Sequence, residues 1–124
     1  RENAVIKMEE SKTRKKYNAM TGENLIMATM AQSMFMKESE DLAAYIQEAL
    51  DPLLDSPNRG LKQAGFYVLI GASMPNVLVE AGYISNPNEE RKFKSANYRQ
   101  KVAKGIYSGI MRFRKSREEV LAEG

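Results

Sequence analysis

Glu80 is the residue of this chain whose sequence context best suits acid–base chemistry. It interrupts the apolar run Val77-Leu78-Val79-Glu80-Ala81, whose composition is typical of a strand buried on both faces. A buried carboxylate is costly unless it has a partner or a task, and burial lets it take up and release a proton near neutral pH. Its place near the end of the predicted strand is where open α/β sheets bind ligands. The alternative is a structural carboxylate that pairs with a buried Arg or Lys or caps a helix.

Two residue types are missing from the sequence, and both absences limit the chemistry. There is no Cys, which excludes disulfides, thiol nucleophiles and thiolate metal sites. There is no His, which excludes the usual general base and the commonest zinc ligand. Acid–base chemistry therefore has to come from carboxylates, Lys or Tyr.

The charge of the chain is mildly basic and evenly spread. Nineteen Lys and Arg residues against sixteen Asp and Glu give a net charge of +3, with a pI of about 9.1. Such a field favours an anionic polymer, of which a cell-envelope polymer is one kind and a nucleic acid another. We expect no nucleic-acid partner, because no known motif and no basic stripe with interleaved aromatic residues is present. We also expect no membrane span, because no apolar run approaches about 20 residues.

The elements that would position Glu80 can be predicted from local patterns. With 124 residues and 43% hydrophobic content, the chain fits one domain, and the alternation of helical and strand-like stretches predicts an α/β fold. A long helix is expected after Thr21 and ends at Pro52, with two strands following at residues 64–70 and 76–83. Asn86 and Pro87 predict the start of a helix that runs to Lys94. A last helix follows Ser95, with one apolar stripe formed by Tyr98, Val102, Ile106, Ile110 and Phe113.

Two segments around the predicted strands resemble a known enzyme family. The segments are NRGLKQAGFYVL at 58–69 and MPNVLVEAGYISN at 74–86, and the flanking pieces ESEDLA at 38–43 and IYSGI at 106–110 agree as well. Together they are similar to the zinc-dependent N-acetylmuramoyl-L-alanine amidases of the Amidase_3 family, over roughly residues 24–113. The resemblance implies a twisted, mostly parallel sheet flanked by helices, of which this chain would supply only the C-terminal part.

The resemblance also implies a reaction and a role for Glu80. The family cleaves the amide between the lactyl group of N-acetylmuramic acid and the first L-Ala of the peptidoglycan stem peptide. The family's catalytic glutamate falls on Glu80, which would take the proton of a zinc-bound water and pass it to the leaving amine. Glu80 is the only catalytic residue that we predict.

The family's zinc ligands have no counterpart in this sequence. They are two histidines and a glutamate from the preceding half of the domain, so no residue here is assigned as a metal ligand. We expect that zinc is held by a missing N-terminal half, and the start at Arg1 rather than Met favours a fragment that is inactive and poorly soluble alone. The alternative is a metal-free, non-catalytic domain of the same fold that binds or scaffolds the cell envelope.

The remaining expectations concern organisation and surroundings. We divide the chain into a polar lead-in loop at 1–23, the amidase segment at 24–113 and a charged, fraying tail at 114–124. The expected partners are peptidoglycan, the missing half of the domain and an activator protein. The expected location is the periplasm or the extracellular cell envelope.

Overall fold

The chain is largely helical. The computed structural model describes residues 2–124, with side chains from Ala4 onward. Its elements are α1 (Glu2–Asn18), α2 (Gly22–Met34), α3 (Met36–Leu50), a single 3-10 turn (Tyr67–Leu69), α4 (Pro87–Lys94) and α5 (Ala96–Glu123). The five helices and the 3-10 turn together account for 68% of the chain.

The prediction of an α/β fold with a mostly parallel sheet is wrong. Across residues 2–124 no strand forms; the 64–70 segment contains the 3-10 turn, and 76–83 has no regular structure. Aromatic and β-branched composition shows only that a segment suits a pleated surface, and a strand still needs a neighbour to pair with. Here, instead, backbone groups at 81–83 bond to side chains of α4 and α5.

The expected lead-in loop and frayed tail are also helical. In α1 the charge run includes an ion pair between Glu9 and Lys12 at 3.0 Å, and buried Thr13 donates a hydrogen bond to the Gly65 carbonyl. At the other end, Arg114 pairs with Glu118 at 2.7 Å, an i,i+4 contact that supports the last turns of α5. The loop conformation expected at the start is therefore wrong for Glu2–Asn18, and the frayed tail is helical to Glu123, while the boundaries of the three segments stay a prediction.

The long helix expected between Thr21 and Pro52 is interrupted once. Phe35 leaves the helical conformation, with φ −100° and ψ 7°, and separates α2 from α3. Its carbonyl then accepts both the backbone N–H and the hydroxyl of Ser39, so the first turn of α3 is anchored at the break. Apolar spacing carried no sign of this interruption.

The helix starts predicted after Asn86 and after Ser95 are confirmed. The Asn86 side chain accepts the backbone N–H groups of Asn88 and Glu89 at 2.9 and 3.4 Å. The Ser95 hydroxyl accepts the backbone N–H of Tyr98 at 3.3 Å. Both caps satisfy donors that the first turn of a helix leaves free.

The chain divides into two compact units. The first contains the residues up to Glu40 together with Lys62–Leu78. Within it, α1 packs on the 3-10 turn, where the Lys16 ammonium lies 5.0 Å from the centre of the Tyr67 ring. The Tyr17 hydroxyl donates to Gln32 of α2 at 2.6 Å.

The second unit contains Asp41–Leu61 and Val79–Gly124, and its core lies where α3 meets α5. Ile46, Ala49 and Leu50 are its buried apolar side chains, and Gly105 and Gly109 are the buried residues of α5. A Cβ on Gly109 would lie 2.7 Å from the Ile46 backbone nitrogen, so any side chain at this position would force the two backbones apart. Of the predicted α5 stripe, Ile110 is instead 45% exposed.

No helix within residues 2–124 combines the length and the apolar character that crossing a bilayer requires.

Candidate functional site

Glu80 lies on the surface, outside any helix or strand. Its side chain is exposed, and residues 76–83 have no regular structure. The expectation that burial in a strand tunes this carboxylate is therefore wrong. An exposed carboxylate can still reach a large polymeric substrate, and the catalytic role of Glu80 stays a prediction.

The backbone that follows Glu80 is hydrogen-bonded to α4 and α5 at two residues, one on each side of Gly82. The Ala81 carbonyl accepts the Tyr98 hydroxyl at 3.4 Å, and the Tyr83 N–H donates to Glu89 Oε2 at 2.5 Å. Between them, Gly82 has φ +152°, a conformation that L side chains rarely adopt. A Cβ there would also lie 3.1 Å from the Phe93 ring. The segment 81–83 is thus fixed on its helical support.

Glu89 joins this segment to the loop before the 3-10 turn. Its Oε1 accepts Arg59 Nη2 at 2.7 Å, and the Arg59 guanidinium lies 4.9 Å from the centre of the Tyr83 ring. Glu89 is buried. The Tyr83 N–H, and after it the Arg59 guanidinium, hold the pKa of the Glu89 carboxyl below its usual value.

Sequence reasoning missed the pairing of Arg59 with Glu89. Glu89 is an acidic residue in the first turn of α4, at the positive end of the helix dipole, but this position is only part of its role. The two residues are 30 positions apart, and local spacing carries no signal for such a pair. Arg59 lies in the 58–69 segment that resembles the amidases, and Glu89 follows the 74–86 segment by three residues.

A second contact ties the same loop to α4. The Lys92 ammonium donates to the Asp55 carbonyl and to the Ser56 hydroxyl, both at 3.2 Å. The loop at 55–59 is thus attached to α4 at Lys92 as well as at Glu89. This fixes the position of Arg59 relative to the residues that follow Glu80.

The described residues do not form a zinc site. Within this part of the chain no three His, Cys, Asp or Glu residues are grouped closely enough to hold a metal ion. The sequence has no His or Cys at all. The donor set that zinc prefers in proteins is therefore not offered by these residues.

Comparison with known proteins decides the family. The sequence profile of the Amidase_3 family, described as N-acetylmuramoyl-L-alanine amidase, matches residues 11–112. The chain belongs to this amidase family. The resemblance inferred from the two motif segments is thereby confirmed, and Glu80 and Glu89 both lie within the matched region of this amidase chain.

Three relatives of this amidase chain are N-acetylmuramoyl-L-alanine amidases by name. It is 35% identical to N-acetylmuramoyl-L-alanine amidase AmiA of Escherichia coli over 88 residues, which are 71% of this chain and 30% of AmiA. It is 38% identical to the germination-specific N-acetylmuramoyl-L-alanine amidase of Bacillus subtilis over 77 residues, 61% of this chain and 32% of that protein. With LytC of Bacillus subtilis it shares 40% over 75 residues, 60% of this chain and 15% of LytC.

The amidase chain spans a third or less of the length of these relatives. No solved structure matches it.

Proposed function

We propose that this chain contributes the catalytic glutamate to a peptidoglycan hydrolase. The bond cleaved is the amide between the lactyl group of N-acetylmuramic acid and the first L-Ala of the stem peptide. The observation that carries the proposal is the family match over 11–112, which includes Glu80 and the anchored segment after it. The names of AmiA and LytC support the same reaction.

Glu80 acts in this proposal as a proton shuttle. Its carboxylate accepts a proton from the attacking water while the water oxygen bonds to the amide carbon. It then gives that proton to the nitrogen of L-Ala as the C–N bond breaks, which releases a carboxylate and an amine. Because the Glu80 side chain is exposed, a bulky glycan can approach its carboxylate from solvent.

Zinc dependence belongs to the same proposal, with ligands that lie outside this chain. The described residues do not fit the ion, so the missing N-terminal half of the domain has to hold it. That half is accordingly the first partner of this chain, and an activator protein is a further one. The proposed location is the periplasm or the extracellular envelope, where peptidoglycan lies, and the net charge of +3 suits an anionic polymer.

The test is the substitution Glu80→Gln in the full-length protein. Glutamine keeps the size of the side chain but cannot carry the proton, so release of stem peptides from purified peptidoglycan should fall by about 100-fold or more. Zinc content and melting temperature should stay at their wild-type values. Glu48→Gln, at an exposed position of α3, is the matched control and should leave turnover unchanged.

Near-normal turnover by the Glu80→Gln protein would contradict the proposal. A wild-type protein that releases no peptide would instead favour the metal-free, non-catalytic envelope-binding domain, for which the lack of a metal-binding group among the described residues is the supporting observation. That domain should bind purified peptidoglycan in a sedimentation assay without releasing any peptide.

A further inference from the structure

We propose that Glu89 is a positioning residue for Glu80, acting together with Arg59 through the backbone of residues 81–83. The inference rests on the proposed function, since it concerns how the catalytic carboxylate is held. It assigns to Glu89 a task beyond starting α4.

Each oxygen of the Glu89 carboxylate has a different partner. Oε2 accepts the backbone N–H of Tyr83, and Oε1 accepts the guanidinium of Arg59 at 2.7 Å. Arg59 in turn covers the Tyr83 ring at 4.9 Å, so the three residues form a closed set of contacts. Hydrogen bonds that involve a charged group are about twice as strong as neutral ones, and this carboxylate makes two of them.

Glu80 depends on this arrangement because no polar group among the described residues holds its own side chain. Within residues 4–124 its carboxylate makes no hydrogen bond or ion pair. Its location is therefore set by the backbone that follows it, and that backbone is fixed by Glu89 at Tyr83 and by Tyr98 at Ala81. A catalytic group misplaced by about 1 Å can lose about 100-fold in rate.

The charge of Glu89 is the part of the contact that substitution can isolate. Glu89→Gln keeps an oxygen that can accept the Tyr83 N–H, but it loses the ion pair with Arg59. The neighbouring Glu90→Gln is the matched control, because Glu90 pairs on the surface with Lys94 at 2.8 Å and has 46% of its side chain exposed. The two substitutions make the same chemical change on one turn of α4.

The experiment measures kcat and KM on purified peptidoglycan with the full-length protein. Glu89→Gln should lower kcat by about 10-fold to 100-fold with KM nearly unchanged, and exchange of the Tyr83 amide hydrogen should become faster. Glu90→Gln should change none of these. If Glu89→Gln fails to fold, Arg59→Lys serves instead, since it keeps the charge but loses the planar fork, and it should shift kcat and Tyr83 exchange in the same directions.

Failure of this inference is separable from failure of the proposed function. If Glu80→Gln is inactive while folded Glu89→Gln keeps the wild-type kcat, Glu89 is structural only and the inference is overturned. A lower melting temperature with unchanged kcat below that temperature overturns it in the same way. If Glu80→Gln itself keeps turnover, the proposed function falls and the inference falls with it.

Discussion

Glu80 and Glu89 have opposite surroundings in the same unit of the chain. Glu80 is exposed and its carboxylate is free to meet a substrate, whereas Glu89 is buried and both its oxygens are engaged. A carboxylate held by a backbone N–H and a guanidinium stays ionised and does not readily take up a proton. At the residue scale, acid–base work therefore suits Glu80 and positioning suits Glu89.

The lowered pKa of Glu89 predicts how stability changes with pH. The groups facing its carboxylate are the Tyr83 N–H, Arg59 and Lys92, and all of them favour the ionised form. A carboxyl whose folded pKa is depressed stabilises the fold above its unfolded pKa, about 4.3, and this contribution disappears as the pH falls through the folded value. We expect the difference in free energy of unfolding between wild type and Glu89→Gln to be constant from pH 7 to about 5.5 and to shrink below about 4.3.

Urea unfolding at several pH values checks this. If the difference in free energy of unfolding between wild type and Glu89→Gln stays constant down to about pH 3, the Glu89 carboxyl is not stabilised in its ionised form.

At the scale of elements, the crossing of α3 and α5 depends on glycine. Gly109→Ala places its methyl against backbone atoms of Ile46, which cannot move aside, and should lower the free energy of unfolding by about 1–3 kcal/mol. Gly105→Ala meets mainly the flexible side chain of Leu50 and should cost less. Gly22→Ala, in the first turn of α2 with nothing within 4 Å, should be neutral or stabilising by up to about 1 kcal/mol. The midpoint of urea unfolding ranks the three variants by stability. Equal losses of stability at all three positions would contradict this packing.

Helix α2 exposes an apolar surface of which Met27, Met30 and Met34 are part. None of its residues is buried, and Met30 is 63% exposed. Exposed apolar patches promote association, so Met30→Lys should raise the solubility of the chain without lowering its melting temperature. Ile46→Lys, at a position only 4% exposed, is the contrasting control and should unfold the chain. Equal losses of melting temperature in the two variants would show that Met30 is part of a core.

Helix starts were predictable from sequence because a cap is a local contact. Asn86 and Ser95 bond to backbone groups two or three residues ahead, within the reach of a sequence pattern. The segment 76–83 was not predictable in the same way. Its apolar composition suits a strand, but its conformation is set by Tyr98 and Glu89 from distant parts of the chain.

At the scale of the whole molecule, the amidase motif predicted more of the function than of the fold. The segment around Glu80 led correctly to the family, because the motif is long and ungapped. The sheet that the family resemblance implied is not found among the described residues. The Arg59–Glu89 pair, which gives Glu80 its support, required three-dimensional contacts that no spacing rule supplies.

Metal binding is also a prediction about the whole molecule. A ligand that binds only the folded state of a protein raises its melting temperature. Because the described residues offer no zinc site, excess Zn²⁺ should leave the melting temperature of this 124-residue chain unchanged. On the proposal that a preceding half of the domain holds zinc, a protein containing both halves should be stabilised by Zn²⁺ and destabilised by a chelator. Thermal unfolding followed by fluorescence gives both results, and a zinc-dependent rise for the chain alone would place ligands within it.

The glycine crossing of α3 and α5 also has a consequence for the order of folding. Ile46 and Gly109 lie on helices separated by the whole stretch from Asp51 to Ser95, so their contact requires closure of a long loop. The capped starts of α4 and α5 need no such closure and can form early. The crossing should then form after the folding transition state, and Gly109→Ala should act mainly by accelerating unfolding while the folding rate stays close to that of the wild type.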